Sequence, residues 1–345
     1  MQFTKVPRRR TLACFASMLC AAMLVATVAP RDAWAADFTL RLSSWGSPTA
    51  PQVAVFVASF TKAVQQGSGG RIAIQAFPAG ALVKEQDVPS AIQSHVVDIS
   101  LAAIGGWASI SPPAALMNSV TFRPTAQNFL QLAGAGSPLF KALDDSLAKH
   151  QVRLLAVLDN GPPMLVSRQR IQTPADVKGQ SIRTYDKASS QIINTLGGAP
   201  STMPVSDVYA ALQRDTVRGA IGGIQGVIGL KEYEVAKYML DGNGVWGVGV
   251  TVYVMNGDAL AALPADLQKV VLDAGRTAEL VTNKVIFDFI STSVTAMQTK
   301  GMQVTIMQPG TPQYQAFATA LTPLAKAQLQ GLPADLLKLV TNGQP

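Results

Sequence analysis

The chain has 345 residues and a formal net charge of +7, and its two cysteines, Cys14 and Cys20, both lie near the amino terminus. The rest of the sequence therefore has no thiol or disulfide, and its two histidines, His95 and His150, are too few for a His-rich metal site. We expect two domains with separate cores, with no cofactor and no metal.

Segment 1–35 has the pattern of a secretory signal peptide. Arg8 to Arg10 form a basic region, Thr11 to Val28 is apolar, and small residues lead to a cleavage position near Ala35. The alternative is a membrane anchor, but about eighteen apolar residues are short for a spanning helix. We therefore expect a periplasmic protein, and the arginine run leaves both the Sec and the twin-arginine export routes open.

Removal of this segment lowers the net charge to about +3, because it holds five basic residues and one acidic residue. No basic run remains, so we expect no nucleic-acid partner. No later stretch of the sequence is long and apolar enough to span a bilayer, so we expect no stable membrane anchor.

The first part of the mature chain alternates between strands and helices. Apolar alternation predicts a strand over 38–43, a segment closed by Pro78 and Gly80 predicts a second strand over 71–77, and an apolar run predicts a third, buried strand over 96–102. Helical periodicity predicts a helix over 53–66, and a short helix is expected over 87–94. This β-α-β-α-β order predicts a parallel α/β sheet.

The pattern restarts after the strand predicted over 152–158, and we place a domain boundary near Asn160. A crossing strand over 248–255 and a long helix over about 263–299 are predicted later in the chain. The other predicted elements are strands over 164–167, 181–183 and 302–307, a strand or turn over 219–224, and helices over 189–196, 207–213, 231–239 and 313–329.

The motif Gly-Asn-Gly-Val-Trp-Gly over 242–247 matches the dinucleotide-binding consensus G-x-G-x-x-G. That loop requires a strand before it and a helix after it, whereas here a helix is predicted before it and a strand after it. The sequence also has no nucleophile elbow, and His95 and His150 lie at predicted helix ends. We therefore expect no catalytic residue and no enzyme activity.

Arg183 is the strongest candidate for ligand binding. It ends a short predicted strand, and ligands of α/β sheets bind outside the carboxyl ends of strands. An arginine at that place can hold a carboxylate through two parallel hydrogen bonds. The alternative is an ordinary surface arginine.

Four segments together resemble the solute receptors of tripartite ATP-independent periplasmic (TRAP) transporters. Asp176 to Arg183 resembles the family segment DLKGLKIR, and Asp207 to Gln213 resembles the helix EVYxALQ. Gly70 to Leu82 resembles GRI…YPAGQLG, and Leu263 to Gln268 resembles LPxDLQ. The likeness covers most of the chain from Phe38 to about Leu280, in the family's order and spacing.

The resemblance implies an α/β periplasmic binding protein fold, with two lobes joined by crossing strands and a long helix. It places lobe I at 36–159 and 249–288, and lobe II at 160–248 and 289–345. It also implies a monomer that captures a small organic acid and delivers it to two membrane subunits of a TRAP transporter. In most members, the arginine matching Arg183 binds the ligand carboxylate.

The binding-site residues expected beside Arg183 are Trp45, Tyr185, Trp246 and Gly222. The three aromatic residues are candidates for the pocket walls, and Gly222 stands where relatives carry an asparagine that faces the ligand. This glycine predicts a wider, less polar pocket and a bulkier or more apolar monocarboxylate.

Three alternatives remain open at this point. The chain could be an exported binding protein that serves a sensor or another class of transporter. It could be an exported α/β hydrolase, against which the missing nucleophile elbow counts. It could also be a receptor that has lost its ligand, as the altered segment from Val217 to Gly223 suggests.

Overall fold

The structure is a computed structural model and describes residues 36–341. The expected signal peptide and its cleavage position lie outside the described residues. Among the helices of the described part, none has both the length and the apolar character needed to cross a bilayer.

Eleven strands lie within the described residues and form two sheets. They are β1 (Phe38–Ser43), β2 (Ile72–Phe77), β3 (Ile99–Ala103), β4 (Val152–Asp159), β5 (Met164–Ser167), β6 (Ser181–Thr184), β7 (Ala199–Thr202), β8 (Gly219–Gly222), β9 (Tyr238–Asp241), β10 (Val250–Asn256) and β11 (Gln303–Ile306).

The α-helices of the same range lie between and after these strands. They are α1 (Pro51–Gly67), α2 (Val88–Gln93), α3 (Pro112–Met117), α4 (Phe129–Ala133), α5 (Pro138–Ala148), α6 (Lys187–Thr195), α7 (Val208–Gln213), α8 (Ile224–Gly229), α9 (Gly257–Ala261), α10 (Ala265–Thr299), α11 (Pro312–Leu329) and α12 (Ala334–Thr341).

The first sheet has the order β2-β1-β3-β10-β4. Its first three strands are parallel, as the β-α-β-α-β pattern predicts, while β10 runs antiparallel to both β3 and β4. Helices cover both faces. On one face, Phe56 of α1 stacks on Tyr253 of β10 with the ring centroids 3.5 Å apart. The other face carries a second cluster around Trp107 and α5. We call this sheet and its helices the first lobe.

The second sheet has the order β11-β9-β5-β8-β6-β7. Within it, β6 lies parallel to β7 and β8, while β5 lies antiparallel to β8 and β9. We call this sheet and its helices the second lobe. The predicted α/β class and two-lobed architecture are confirmed.

The helix predicted over 231–239 is wrong. The structure has a short 3-10 turn over Glu232–Glu234 and then strand β9, which pairs with β5 and β11. Lys231 has a φ of 56°, a left-handed conformation that does not continue a helix. Short apolar runs do not distinguish a buried strand from a helix by periodicity alone, and pairing within the sheet decides the outcome here.

The long helix α10 protects the outer edge of the first sheet. Strand β4 is at that edge, so its outward backbone groups need partners from outside the sheet. The Glu279 side chain accepts the backbone N–H of Val157 at 2.7 Å, and the Asn283 side chain accepts that of Asp159 at 2.9 Å. Asn283 also donates to the carbonyl of Val157 at 2.9 Å. These bonds fix α10 to the first lobe.

Two backbone connections between the lobes run side by side. The N–H of Asn160 donates to the carbonyl of Gly249 at 2.8 Å, and the N–H of Gly249 donates to the carbonyl of Gly161 at 2.7 Å. Gly161 has a φ of 74°, and a Cβ there would lie 2.6 Å from Ile290 of α10. This crossing therefore requires glycine at 161 for both conformation and space.

All strands of the first sheet lie within the ranges expected for lobe I, and all strands of the second lie within those expected for lobe II. The last helix, α12, is different: Leu336 and Val340 join the apolar cluster of the first lobe. The lobe boundaries stay a prediction, because they concern which segments move together.

Candidate functional site

A cavity of about 110 Å³ lies between the two lobes. It lies beside the two backbone connections at Asn160–Gly161 and Gly249, which we call the hinge. This is several times the roughly 10–15 Å³ that one water molecule requires. Trp45 follows β1, Asn160 follows β4, Tyr185 follows β6 and Gly222 ends β8, so the cavity lies at the carboxyl ends of strands from both sheets. That position is the usual ligand site of open α/β sheets.

Arg183 lies at the base of the cavity with only 3% of its surface exposed. Its Nε and Nη2 donate to the carbonyl of Met203 at 3.0 and 2.9 Å, and its Nη1 donates to the carbonyl of Ile221 at 3.3 Å. A guanidinium has five N–H donors. One donor on each Nη therefore remains for a ligand, and together these two form the planar fork that matches a carboxylate.

No carboxylate within residues 36–341 forms an ion pair with Arg183. Burial lowers the pKa of Arg183, and the nearby Glu85 and Glu232 raise it. A buried charge without a direct counter-ion is unfavourable, so binding of a ligand anion to this arginine would be stabilising. Within the described residues that line the cavity, Arg183 is the one basic side chain.

Tyr185 and Asp186, two and three residues after Arg183, line the second-lobe wall. The Tyr185 ring lies under the guanidinium, with Cζ of Arg183 5.8 Å from the ring centroid. One Asp186 oxygen caps α6 by accepting the backbone N–H of Ser189 at 2.8 Å. The other accepts from the Asn118 side chain at 2.8 Å, across the gap between the lobes. This last bond joins the two lobes beside the cavity, which both residues line.

On the first-lobe and hinge side, four polar atoms are buried without a hydrogen-bond partner. They are Trp45 Nε1, Gln52 Oε1, Glu85 Oε2 and Asn160 Oδ1, and all four residues line the cavity. Buried polar atoms without partners are rare in folded proteins and unfavourable. Their concentration in one cavity indicates a surface whose partners come from a ligand.

Two glutamates of the cavity have strongly raised pKa values. Burial raises the pKa of Glu85 to about 7, although Arg183 opposes the shift and Asp186 adds to it. Burial also raises the pKa of Glu232 to about 7, again opposed by Arg183. Both carboxyls therefore change charge near neutral pH in the ligand-free protein.

Among the five residues expected at the site, Arg183, Trp45, Tyr185 and Gly222 line the cavity. Trp246 does not, and its assignment to a pocket wall is corrected. It lies in the core of the second lobe, 3% exposed, where it packs edge-on against Phe317 and donates from Nε1 to the carbonyl of Pro163. The chain turns over Gly244 and Gly247, and this turn directs the indole inward.

The glycine motif over 242–247 follows strand β9, not the helix that was predicted. Strand β10 follows it, so the helix that a dinucleotide loop requires is still missing. The described residues also contain no group of three or more His, Cys, Asp or Glu side chains that could hold a metal ion.

The expectation of a less polar pocket is only partly met. A Cβ at Gly222 would lie 3.4 Å from Nη1 of Arg183, so the glycine does leave space beside the guanidinium. The cavity is nevertheless polar, because Gln52, Glu85, Asn160 and Glu232 line it from other elements. The sequence reasoning missed all four. Asn160 could have been found, because it follows a predicted strand.

The family model for bacterial extracellular solute-binding proteins, family 7 (DctP), matches residues 42–331. A solute-binding protein of Roseobacter denitrificans is 27% identical over 290 residues, covering 82% of this chain and 86% of that protein. An uncharacterized protein of Sinorhizobium fredii is 29% identical over 280 residues, which cover 80% of this chain but only 50% of that protein.

Solved structures share the fold. A TRAP periplasmic solute-binding protein from Sulfitobacter sp., with bound β-D-galacturonate, superposes with a TM-score of 0.79 at 21% identity, covering 88% of this chain and 99% of that one. The structure of the Roseobacter denitrificans protein, with bound L-galactonate, has a TM-score of 0.77 and covers 89% of this chain and 99% of that one.

Proposed function

This chain belongs to the bacterial extracellular solute-binding proteins of family 7, and from that premise we propose that it is the receptor of a TRAP transporter for an organic acid. Members of this family bind solutes, which agrees with the expectation that the chain is not an enzyme. The observation that carries the proposal is the geometry of Arg183. Two N–H donors of this buried guanidinium are free, and they face a cavity between two lobes.

In this proposal, a ligand carboxylate binds the two free donors of Arg183. The bonds to Met203 and Ile221 hold the guanidinium in place before the ligand arrives, so little conformational entropy is lost on binding. The ligands of the two related structures, galacturonate and galactonate, each carry one carboxylate, which supports an acid of this kind.

Capture would proceed by closure of the two lobes. The hinge pairs Asn160 with Gly249 through backbone hydrogen bonds, and the bond from Asn118 to Asp186 is a further contact between the lobes. A ligand that contacts both walls stabilises the closed form and shifts the equilibrium toward it. The membrane subunits would then receive the ligand from this closed form.

The test is a titration of the mature protein with a library of organic acids, beside Arg183→Ala and a matched control, Arg276→Ala. Arg276 is exposed on α10 and pairs with Asp273, away from the cavity. We expect at least one acid to bind the parent and Arg276→Ala, and to lose binding in Arg183→Ala. Binding that survives Arg183→Ala would contradict the proposal.

The remaining parts of the proposal have their own tests. The mass of the exported protein would locate the cleavage expected near Ala35, and light scattering would show whether the receptor is a monomer. Delivery would be tested with vesicles that contain the two TRAP membrane subunits, which should take up the ligand when the receptor is added. Equal uptake without the receptor would contradict the delivery role.

A further inference from the structure

The cavity also carries acidic side chains, opposite in charge to Arg183. Three carboxyl side chains line it, those of Glu85, Asp186 and Glu232, against the single basic side chain of Arg183. A second carboxylate on the ligand would therefore find no basic partner and would face acidic groups. Such an arrangement favours a second ligand group that is a proton donor.

The buried polar atoms without partners in the cavity also favour a proton donor on the ligand. Three of the four are acceptor oxygens, on Gln52, Glu85 and Asn160, and Gln52 is only 5% exposed. Gln52 lies in the first turn of α1 and Glu85 lies in the turn before α2, so both belong to the first lobe. Asn160 belongs to the hinge. An ammonium group has three N–H donors and no acceptor, so its hydrogen-bonding chemistry matches these three acceptor oxygens.

We infer that the ligand is an amino-bearing monocarboxylate, whose carboxylate binds Arg183 and whose ammonium group binds Glu85 with Gln52 and Asn160. The inference rests on the proposed function, because it takes the arginine–carboxylate pair as given. It replaces the bulky apolar acid expected from Gly222 with a small zwitterion that spans both lobes.

The Glu85 carboxylate would be the charge partner of the ammonium. In the ligand-free cavity, burial raises the pKa of this carboxyl to about 7, so about half of it is neutral near pH 7; Arg183 favours its charge and Asp186 disfavours it. An ammonium at Glu85 Oε2 would offset that burial and stabilise the charged form. Binding near neutral pH would then release a proton from Glu85.

The experiment is calorimetric titration at pH 6.5 with sets of three acids of three to eight carbons, each set an amino acid, its deamino analogue and the dicarboxylate of the same length. The proteins are the parent, Glu85→Gln, Arg183→Ala and a control, Glu234→Gln. Glu85→Gln keeps the shape of the side chain and removes its charge. Glu234 is exposed and bonds to Tyr209 outside the cavity.

We expect the tightest ligand to carry an amino group and its deamino analogue to bind about 10- to 100-fold more weakly. Glu85→Gln should remove this preference and the proton release seen in buffers of different ionisation enthalpy, while Glu234→Gln should change neither. A dicarboxylate or an acid without an amino group as the tightest ligand would overturn the inference, as would an absence of binding by every set.

The two proposals fail in different ways. If the tightest acid lacks an amino group but its binding is still lost in Arg183→Ala, only the inference of an amino-bearing ligand is contradicted. If an amino-bearing ligand binds Arg183→Ala as well as the parent, the arginine–carboxylate pair falls, and with it the proposed function of the site.

Discussion

Arg183, on the second lobe, donates three hydrogen bonds to backbone carbonyls, whereas Gln52 and Glu85, on the first lobe, each leave a buried oxygen without a partner. The first arrangement fixes a charged group in place before binding. The second leaves polar groups for a ligand to satisfy. In the proposed mechanism, the second lobe would anchor the ligand and the first lobe would select it, so changes to the two walls should have different effects.

The largest effect is expected from Arg183→Ala, which removes the anchor. A charge-assisted, two-bonded pair with a buried arginine is worth about 2–5 kcal/mol, so affinity for any carboxylate should fall by roughly 30-fold or more. Arg183→Lys keeps the charge but loses the planar fork, and its affinity should lie between those of the parent and Arg183→Ala. Calorimetric titration measures all three, and equal affinities for Lys and Arg would argue against a two-bonded pair.

The second largest expected effect is the pH dependence of the unfolding free energy that Glu232 causes. Its pKa is about 7 in the folded protein and lies near its ordinary, lower value in the unfolded chain, so folding favours the protonated form. Stability contributed by this group is present below the unfolded pKa and is lost as pH rises to about 7. We expect the ligand-free protein to lose about 1–3 kcal/mol of unfolding free energy between pH 5 and pH 8 from this group.

Urea unfolding of the parent, Glu232→Gln and Glu234→Gln at the two pH values would measure this loss. Glu232→Gln cannot ionise and should show a flatter pH dependence, whereas Glu234→Gln should follow the parent. A Glu232→Gln protein with the parent's full slope would show that other groups cause the dependence.

Substitution of Gly222 would show how closely the cavity wall around Arg183 fits the ligand. A Cβ at this position already lies 3.4 Å from Nη1 of Arg183, so the larger side chain of Gly222→Val would take space from the carboxylate. We expect affinity to fall by about 5- to 20-fold, with little change in melting temperature, because the added atoms face the cavity. Unchanged affinity would mean that the carboxylate lies away from Gly222.

The smallest expected effect is on closure. Asn118→Ala removes the hydrogen bond to Asp186, worth about 0.5–1.5 kcal/mol, and should weaken binding by about 2- to 10-fold. Small-angle scattering should show a larger radius of gyration for the ligand-free variant. Asn194→Ala, an exposed position on α6, is the control. A loss of affinity with no change in the scattering would assign Asn118 to ligand contact instead of closure.

The sequence was most informative where the physical signal is local. Strands β1 and β2 are predictable because short strand-like segments end at glycine and proline, β3 because it is a short apolar run, and Arg183 because it ends a strand within a recognisable motif. The region around Lys231 was mispredicted because pairing of β9 with β5 overrides its helical pattern. The sites of Gln52 and Glu85 depend on contacts between lobes, which no local pattern encodes.

Trp246 is a second residue whose place the local sequence does not determine. An aromatic residue in a glycine-rich turn fits both a pocket wall and a core, and only the packing against Phe317 and the bond to Pro163 distinguish the two.

The most direct test of the account is a crystal structure of the mature protein with the tightest acid from the titrations. We predict both carboxylate oxygens at about 2.7–3.2 Å from Nη1 and Nη2 of Arg183, with the bonds from Arg183 to Met203 and Ile221 retained. A ligand whose carboxylate binds elsewhere in the cavity, with Arg183 still without an anionic partner, would contradict the central claim.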